Sequence, residues 1–393
     1  MRRGRYKTGS VNVRGLALSG TALSGTQEIR AQALQLASAW SRQDCPEPWR
    51  LTAALFRLIA GHDGLVAMLT ELPADRLPAL LASAAIRFLV HRDQPEPLAR
   101  YFPEPGLPQP PFDAGFEPAA TAFVSDSLGE IRALCGSHRY QMNEVARCAQ
   151  IALGIAAVSG AATAPTALVD LGTGAGLGLR LDRYRYQIGG TSTGPADGLS
   201  VTCELRGERR PPLPELPPIA SRVGIDIDPV DLRDQGARAW LSACAPPEAS
   251  ALSRLTAAIE VAQRYPVPIV AGDVVAALPG VLAGLPPSVP VLVTDAYLAV
   301  FLPADQRAKL LGVLADAARS RPVTWLSLDP LVPLGRSARD SVQGIRLPES
   351  LVADYQQNGL FAILSARTFD RGSEAGCLLA RAHPSGQWVE WLG

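Results

Sequence analysis

The sequence predicts an α/β protein in which a doubly wound, mainly parallel sheet follows an all-helical N-terminal domain. Three observations predict it. Five short runs, TALVDLG, SRVGIDID, VPIVAGD, VPVLVTDAY and PVTWLSLDP, are rich in Val, Ile and Leu and carry Gly or Asp at or near their ends. Near-continuous apolar runs mark strands buried on both faces, as a parallel sheet covered by helices requires. Between them lie stretches of helical period, ALSRLTAAIEVAQRY and DQRAKLLGVLADAARS, so strand and helix alternate, the pattern of a doubly wound sheet. The third observation is that the chain ahead of these runs shows helical period only.

In chain order, residues 1–25 are rich in Gly, Ser, Thr and Arg without apolar period and read as a flexible tail. From Gln27 one apolar face appears in EIRAQALQLASAW. Further helices are expected in PWRLTAALFRLIA, GLVAMLTEL and RLPALLASAAIRFLVHR, separated by Pro and Gly. The stretch YFPEPGLPQPPFDAGFEP reads as a loop. Residues 26–130 are taken as the helical domain, a cap that shapes a substrate site, and 131–393 as the sheet domain. A helix is expected around Asn143–Ala157. At the end, LFAILSARTF and GCLLARAHPSGQWVEWL read as two antiparallel strands at the sheet edge, with a further turn at HPSGQ.

Composition excludes several functions. The 393 residues carry 37 basic and 37 acidic side chains, without the basic excess of a nucleic-acid-binding surface. Lys7 and Lys309 are the only lysines, which reads as codon bias of a high-GC genome. The six cysteines and four histidines form no C-x-x-C or H-E-x-x-H spacing, so no metal site and no disulfide framework is expected, and a reducing cytoplasm fits. The start, MRRGRYKTGSVNVRG, lacks the apolar core of a signal peptide. The most apolar stretch, Ile151–Leu179, is broken by Pro165, Asp170 and glycines, where a membrane span needs about 20 apolar residues. The expectation is a soluble, cytoplasmic protein with no membrane or nucleic-acid partner.

The local signal for chemistry is Asp170-Leu171-Gly172-Thr173-Gly174-Ala175-Gly176, a strand ending in a D-x-G-x-G-x-G turn. Glycine lets the backbone pass close beneath a ligand and take positive φ, and such a turn faces the crevice at the strand ends. A tight strand-to-helix turn explains glycines equally. Asp226, with Ile227 and Asp228, ends the next run, where a carboxylate can accept both ribose hydroxyls or cap a helix. Asp273-Val274 and Thr294-Asp295-Ala296-Tyr297 end two more.

Together these residues resemble the class I S-adenosylmethionine (SAM)-dependent methyltransferases, whose core is a seven-stranded-type sheet. The resemblance implies that Asp170, Gly172, Thr173, Gly174 and Gly176 hold the amino-acid end of SAM or S-adenosylhomocysteine. It further implies that Asp226 and Ile227 take the ribose side, that Asp273 and Val274 meet the adenine, and that Thr294 and Asp295 open the substrate side. The second acid lies about 50 residues after the glycines, rather than the ~20 of a compact dinucleotide-binding unit. The insert, with DRYRYQIGGTSTG and RRPPLPELPP, is therefore expected to form an excursion. The segments QMNEVARCAQ, GTGAGLGLRLDRYRY, GIDIDPVDL, FLPADQRAKL, PVTWLSLDP and HPSGQWVEW are similar to a bacterial family of domains of unknown function (DUF2332) with a methyltransferase-like core. That resemblance covers about residue 80 to the end. It implies Asn143, Arg180, Asp182, Tyr184 and Tyr186 as substrate-side pocket wall, with Asp182, Arg183 and Arg185 in a solvated turn and packing tyrosines as the other reading. Where that family has Asn after the glycine turn this chain has Gly178, and its His and Trp on the substrate-side strand are missing from Thr294–Phe301.

Methyl transfer to a small molecule, with natural-product biosynthesis as the setting, is the first expectation. It needs alignment and exclusion of water, and a base only where a proton must leave. Asp295, Tyr297 and Glu144 are the candidate catalytic residues. A non-methylating reaction that keeps SAM intact, such as ring closure to a small heterocycle like an aziridine, is the alternative. A SAM-binding scaffold is the third reading. A homo-oligomer or a small helper protein stays open as partner.

Overall fold

The computed structural model describes every residue except 1–24, 42–44, 46, 74–75, 161–163, 214, 332–339 and 359–360. The tail expected over residues 1–25 therefore lies, save Gly25, outside the described residues. Helices α1 (Gly25–Ala39), α2 (Trp49–Gly61), α3 (Asp63–Leu69), α4 (Pro78–Asp93), α5 (Phe116–Asp126) and α6 (Leu128–Ser137) make the first layer. Their apolar side chains recur at helical spacing. Leu51, Leu55, Phe56 and Ile59 of α2 meet Leu81, Ile86 and Leu89 of α4 in one core. His62 separates α2 from α3, its Nδ1 accepting from Leu65 N. The division drawn at residue 130 falls inside α6. No single helix among the described residues is long and apolar enough to cross a membrane. The pair α2 and α3 passes that test jointly but bends by 85° and buries its apolar faces in this core.

The second layer begins with α7 (Arg147–Ser159) and β1 (Thr166–Leu171). Strands β2 (Tyr184–Ile188), β3 (Thr191–Thr193), β4 (Leu199–Arg206) and β5 (Ile219–Asp226) follow, then α8 (Gln235–Cys244) and α9 (Ala249–Arg264). Next come β6 (Ile269–Ala271), α10 (Val274–Gly284), β7 (Val291–Ala296), α11 (Ala304–Ala317) and β8 (Val323–Pro330). The chain ends with β9 (Ser341–Val342), β10 (Ile345–Arg346), α12 (Glu349–Asn358), β11 (Ala362–Asp370), β12 (Ser373–Ala382) and β13 (Trp388–Trp391).

Eleven strands join one sheet in the order β3-β2-β4-β13-β12-β11-β8-β7-β1-β5-β6, where a seven-stranded type was expected. The run β6-β5-β1-β7-β8 is parallel throughout. Only part of the insert is an excursion: β2 and β4 pair in parallel and β4 pairs with β13, which extends the sheet, while the described residues of RRPPLPELPP lie between β4 and β5 outside any strand. Consequently the antiparallel pair β11 and β12 sits inside the sheet and not at its edge. Helix α7 packs against β4 as well as β7, β8 and β11, so the sheet curls around it. Leu168, Leu292, Leu326 and Leu364 cover that face, and Val169, Val293 and Trp325 bury the other against Leu278, Leu310 and Leu314. Strand order reverses at β1, which places a crevice at its C-terminal end.

Candidate functional site

The parallel register sets the polar residues side by side. Asp170 is level with Gly224 on one neighbour and Thr294 on the other, and Leu171 is level with Asp295. Asp170 Oδ2 accepts from Thr173 Oγ1 (2.6 Å) and Oδ1 from Thr294 Oγ1 (2.7 Å). Burial pushes its carboxyl up to about 6, against the pull of these two hydroxyls, with Asp295 and Asp226 adding to the rise. Thr173 in turn requires glycine at 224, where a Cβ would overlap its Cγ2.

The turn after β1 takes left-handed backbone at Gly172, Gly174 and Gly176, with φ of 65°, 56° and 68°. Gly172 N donates to Ile225 O, and Gly174 N donates to Asp226 Oδ2 at 2.7 Å. Asp226 Oδ1 accepts from Asp228 N (2.8 Å). The turn and the acid on the neighbouring strand are thus in direct contact. Asn143 lies over the turn: its Oδ1 accepts from Ala175 N, and a Cβ at 174 would stand 2.6 Å from its Nδ2.

A cavity of about 80 Å³ opens beside Asp170, Gly172, Thr173, Thr294 and Asp295 and is closed by Asn143, Glu144, Arg147 and Cys148. Asp295 is fully buried and accepts from Trp325 Nε1 (2.8 Å). Burial, then the neighbouring Asp329, pushes it up to about 7 against the Trp325 hydrogen bond. Glu144 Oε1 accepts from Ala146 N and from Arg254 Nη2, while Oε2 is buried without a partner. Tyr297 holds φ at +66°, a strained value for a residue with a Cβ. Its hydroxyl is buried without a partner, and Arg147 Cζ sits 4.0 Å from its ring centroid.

Other candidates lie away from the cavity. Arg180 donates to the carbonyls of Gly176, Ala262 and Tyr265, which clamps the end of α9 to the glycine turn. Asp182 pairs with Arg222 of β5 at 2.7 and 3.0 Å. Tyr184 and Tyr186 are core residues whose hydroxyls donate to Leu177 O and Leu181 O. None of these four lines the cavity, so the pocket-wall expectation for them is corrected. Asp273 caps α10, accepting from Val275 N and Ala276 N, and Val274 is buried against Leu278. Ile227 is 61% exposed beside Asp226. Among the described residues no group of three or more His, Cys, Asp or Glu side chains is placed to hold a metal ion.

Arg147 escaped the sequence reading: the helix expected from Asn143 begins only at Arg147, and Glu144 lies in the turn before it, its carbonyl accepting from Arg147 N. Its Nε donates to Pro384 O (2.7 Å), and Gln150 Nε2 donates to His383 O and Trp388 O. The first and last of the segments singled out in the sequence therefore meet, 237 residues apart, at one wall of the cavity. A family model described as an uncharacterized protein conserved in bacteria (DUF2332) matches residues 32–391. The chain belongs to that family. No curated protein matches the chain. In this DUF2332 protein Gly178 lines the cavity, and a Cβ there would lie 3.3 Å from Asp170 Oδ2. A larger side chain at 178 would therefore reach that carboxylate.

Proposed function

We propose that this protein is a SAM-dependent enzyme with a class I methyltransferase-like core that methylates a small molecule. The observation that supports this most is the hydrogen bond from Gly174 N to Asp226 Oδ2, which joins a left-handed glycine turn to a strand-end acid at the switch point of the sheet. The parallel order β6-β5-β1-β7-β8 supports it too.

The residues present fit such a ligand. Glu144, Asp170 and Asp295 line the chamber together with Arg147, and Glu144 Oε2 is a buried acceptor that an ammonium would satisfy. At about 80 Å³ the chamber is well below the ~300 Å³ of a site that takes a whole drug-sized ligand. Only the amino-acid end belongs inside it, against Asp170, Gly172 and Thr173, while Gly174 and Gly176 of the same turn lie outside the lining. In this reading Asp226, whose oxygens also accept from Gly174 N and Asp228 N, takes the ribose, with the exposed Ile227 and Asp273 for the base. When bound, SAM supplies an electrophilic methyl on a fixed sulfonium. The chain's own part is to orient the ligand and exclude water from the chamber.

A second reading is favoured by one observation: Asp295 is fully buried and the Tyr297 hydroxyl is buried behind Arg147, so neither proton acceptor stands at an open crevice. That reading is a non-methylating ring closure in which a fixed positive charge stabilises the departing anion. Turnover against small amines, hydroxyls and carboxylates, with S-adenosylhomocysteine quantified, tests the proposal. Release of one S-adenosylhomocysteine per product supports methyl transfer, and product with SAM intact supports ring closure. A chain that binds SAM and turns nothing over is a scaffold, and a chain that binds neither SAM nor S-adenosylhomocysteine overturns both enzyme readings.

A further inference from the structure

A second opening lies apart from the inner chamber. Between β4 and the first turns of α9 runs a groove of about 440 Å³ lined by Leu199, Ser200, Thr202, Ser250, Ser253 and Arg254. That volume is within the ~300–1,000 Å³ typical of small-molecule sites. The local sequence explains the lining. On β4 the side chains alternate, so Val201 and Cys203 enter the core while Ser200 and Thr202 face out. On α9, Ser250, Ser253 and Arg254 fall at i, i+3 and i+4 and share one face.

The groove offers donors and no acid. Its lining holds four hydroxyl side chains and one guanidinium, and no carboxylate. Arg254 carries five N–H donors. Nη2 donates to Glu144 Oε1 (3.1 Å), and Nε is buried without a partner. Ser253 Oγ accepts from Gly106 N of the proline-dense loop and donates to Ala249 O, and Thr202 Oγ1 donates to Gln187 Oε1 at 3.4 Å. The free hydroxyl donors are therefore Ser200 and Ser250, which make no hydrogen bond to protein among the described residues. Glu144 is only 2% exposed and lines the inner chamber. The ion pair of Arg254 with Glu144 is therefore a partition, one partner facing the groove and the other the chamber.

We propose that this groove binds an oxyanion, the carboxylate or phosphate group of a small hydroxylated molecule, with Arg254 as its recognition residue. A guanidinium fork flanked by hydroxyls matches such a group and rejects a cation. The anion and Glu144 compete for one guanidinium, so filling the groove frees Glu144 toward the chamber. The site itself does not depend on what the chamber holds.

Titration of the full chain with inorganic phosphate, and separately with acetate, at constant ionic strength with chloride as control tests this by backbone amide shifts. One or both anions are expected to give saturable shifts centred on Ser200, Ser250, Ser253 and Arg254, and the anion that saturates identifies the head group. Arg254→Met abolishes the shifts, and Ser200→Ala with Ser250→Ala weakens them severalfold without touching the ion pair. Glu144→Gln tightens binding roughly tenfold or more, because it removes the competing charge-assisted bond. No saturable shift with either anion, equal binding by the Ser200→Ala, Ser250→Ala chain, or weakened binding in Glu144→Gln overturns the proposal.

Discussion

Asp226 illustrates how a side chain placed by strand register serves the fold before any ligand arrives. Both of its oxygens accept backbone N–H groups, one from Gly174 and one from Asp228. Asp226→Asn leaves one of these donors facing an amide NH₂. Loss of about 1–3 kcal/mol of stability is expected, read as a lower urea midpoint with unchanged slope. Asp295 has the opposite character. Its pKa lies above the usual carboxylate range, at about 7, so the native state holds its proton more tightly than the unfolded chain does. Stability from this group is full below the unfolded value near 4 and is lost as pH rises through about 7. Asp295→Asn, which can still accept from Trp325, is expected to gain melting temperature relative to wild type between pH 5 and pH 8. Equal pH dependence of the two melting curves would refute the assignment.

At the scale of elements, the HPSGQ turn and the start of α7 are built against each other. Gly386 has φ +74°, and a Cβ there would overlap the backbone of Ala146. Gly386→Ala is expected to cost about 1–3 kcal/mol and to release Arg147 from Pro384 O. Thermal melts check the first effect. Tryptophan fluorescence checks the second, because Trp388 O accepts from Gln150 beside this turn. The parallel strands and glycine turn were legible in the sequence because they are continuous apolar runs closed by Gly and Asp. The rest of the sheet was not. Strand β4 alternates polar and apolar residues, and it joins β13 through pairing of Glu204, Leu205 and Arg206 with Trp388, Val389 and Glu390, a contact far along the chain that no local pattern announces. The family resemblance implied Arg180, Tyr184 and Tyr186 as pocket wall, yet their polar tips answer backbone carbonyls within the core. Asn143 and Glu144 were named from the sequence, whereas Arg147 was not, because the chain turns at Val145 and Ala146 and α7 begins only at Arg147.

Across the molecule the helical layer and the sheet share structure. Trp240 and Cys244 of α8 belong to the helical core, Trp49 Nε1 donates to Glu248 Oε1 at 2.6 Å, and Arg87 donates to Ala245 O. One cooperative thermal transition is therefore expected. Removal of residues 25–137 would bare Trp240 and Cys244 and leave Glu248 without its Trp49 donor, so the remainder is expected to aggregate. Calorimetry showing two independent transitions would contradict this. The central claim, that the glycine turn and Asp226 together hold a sulfonium nucleoside, is tested most directly by isothermal titration of S-adenosylhomocysteine into the full chain and into Gly174→Ala. Saturable one-to-one binding by the former, lost or weakened at least tenfold in the latter, is the result the account predicts. No binding by the wild-type chain, or equal binding by both, would contradict it.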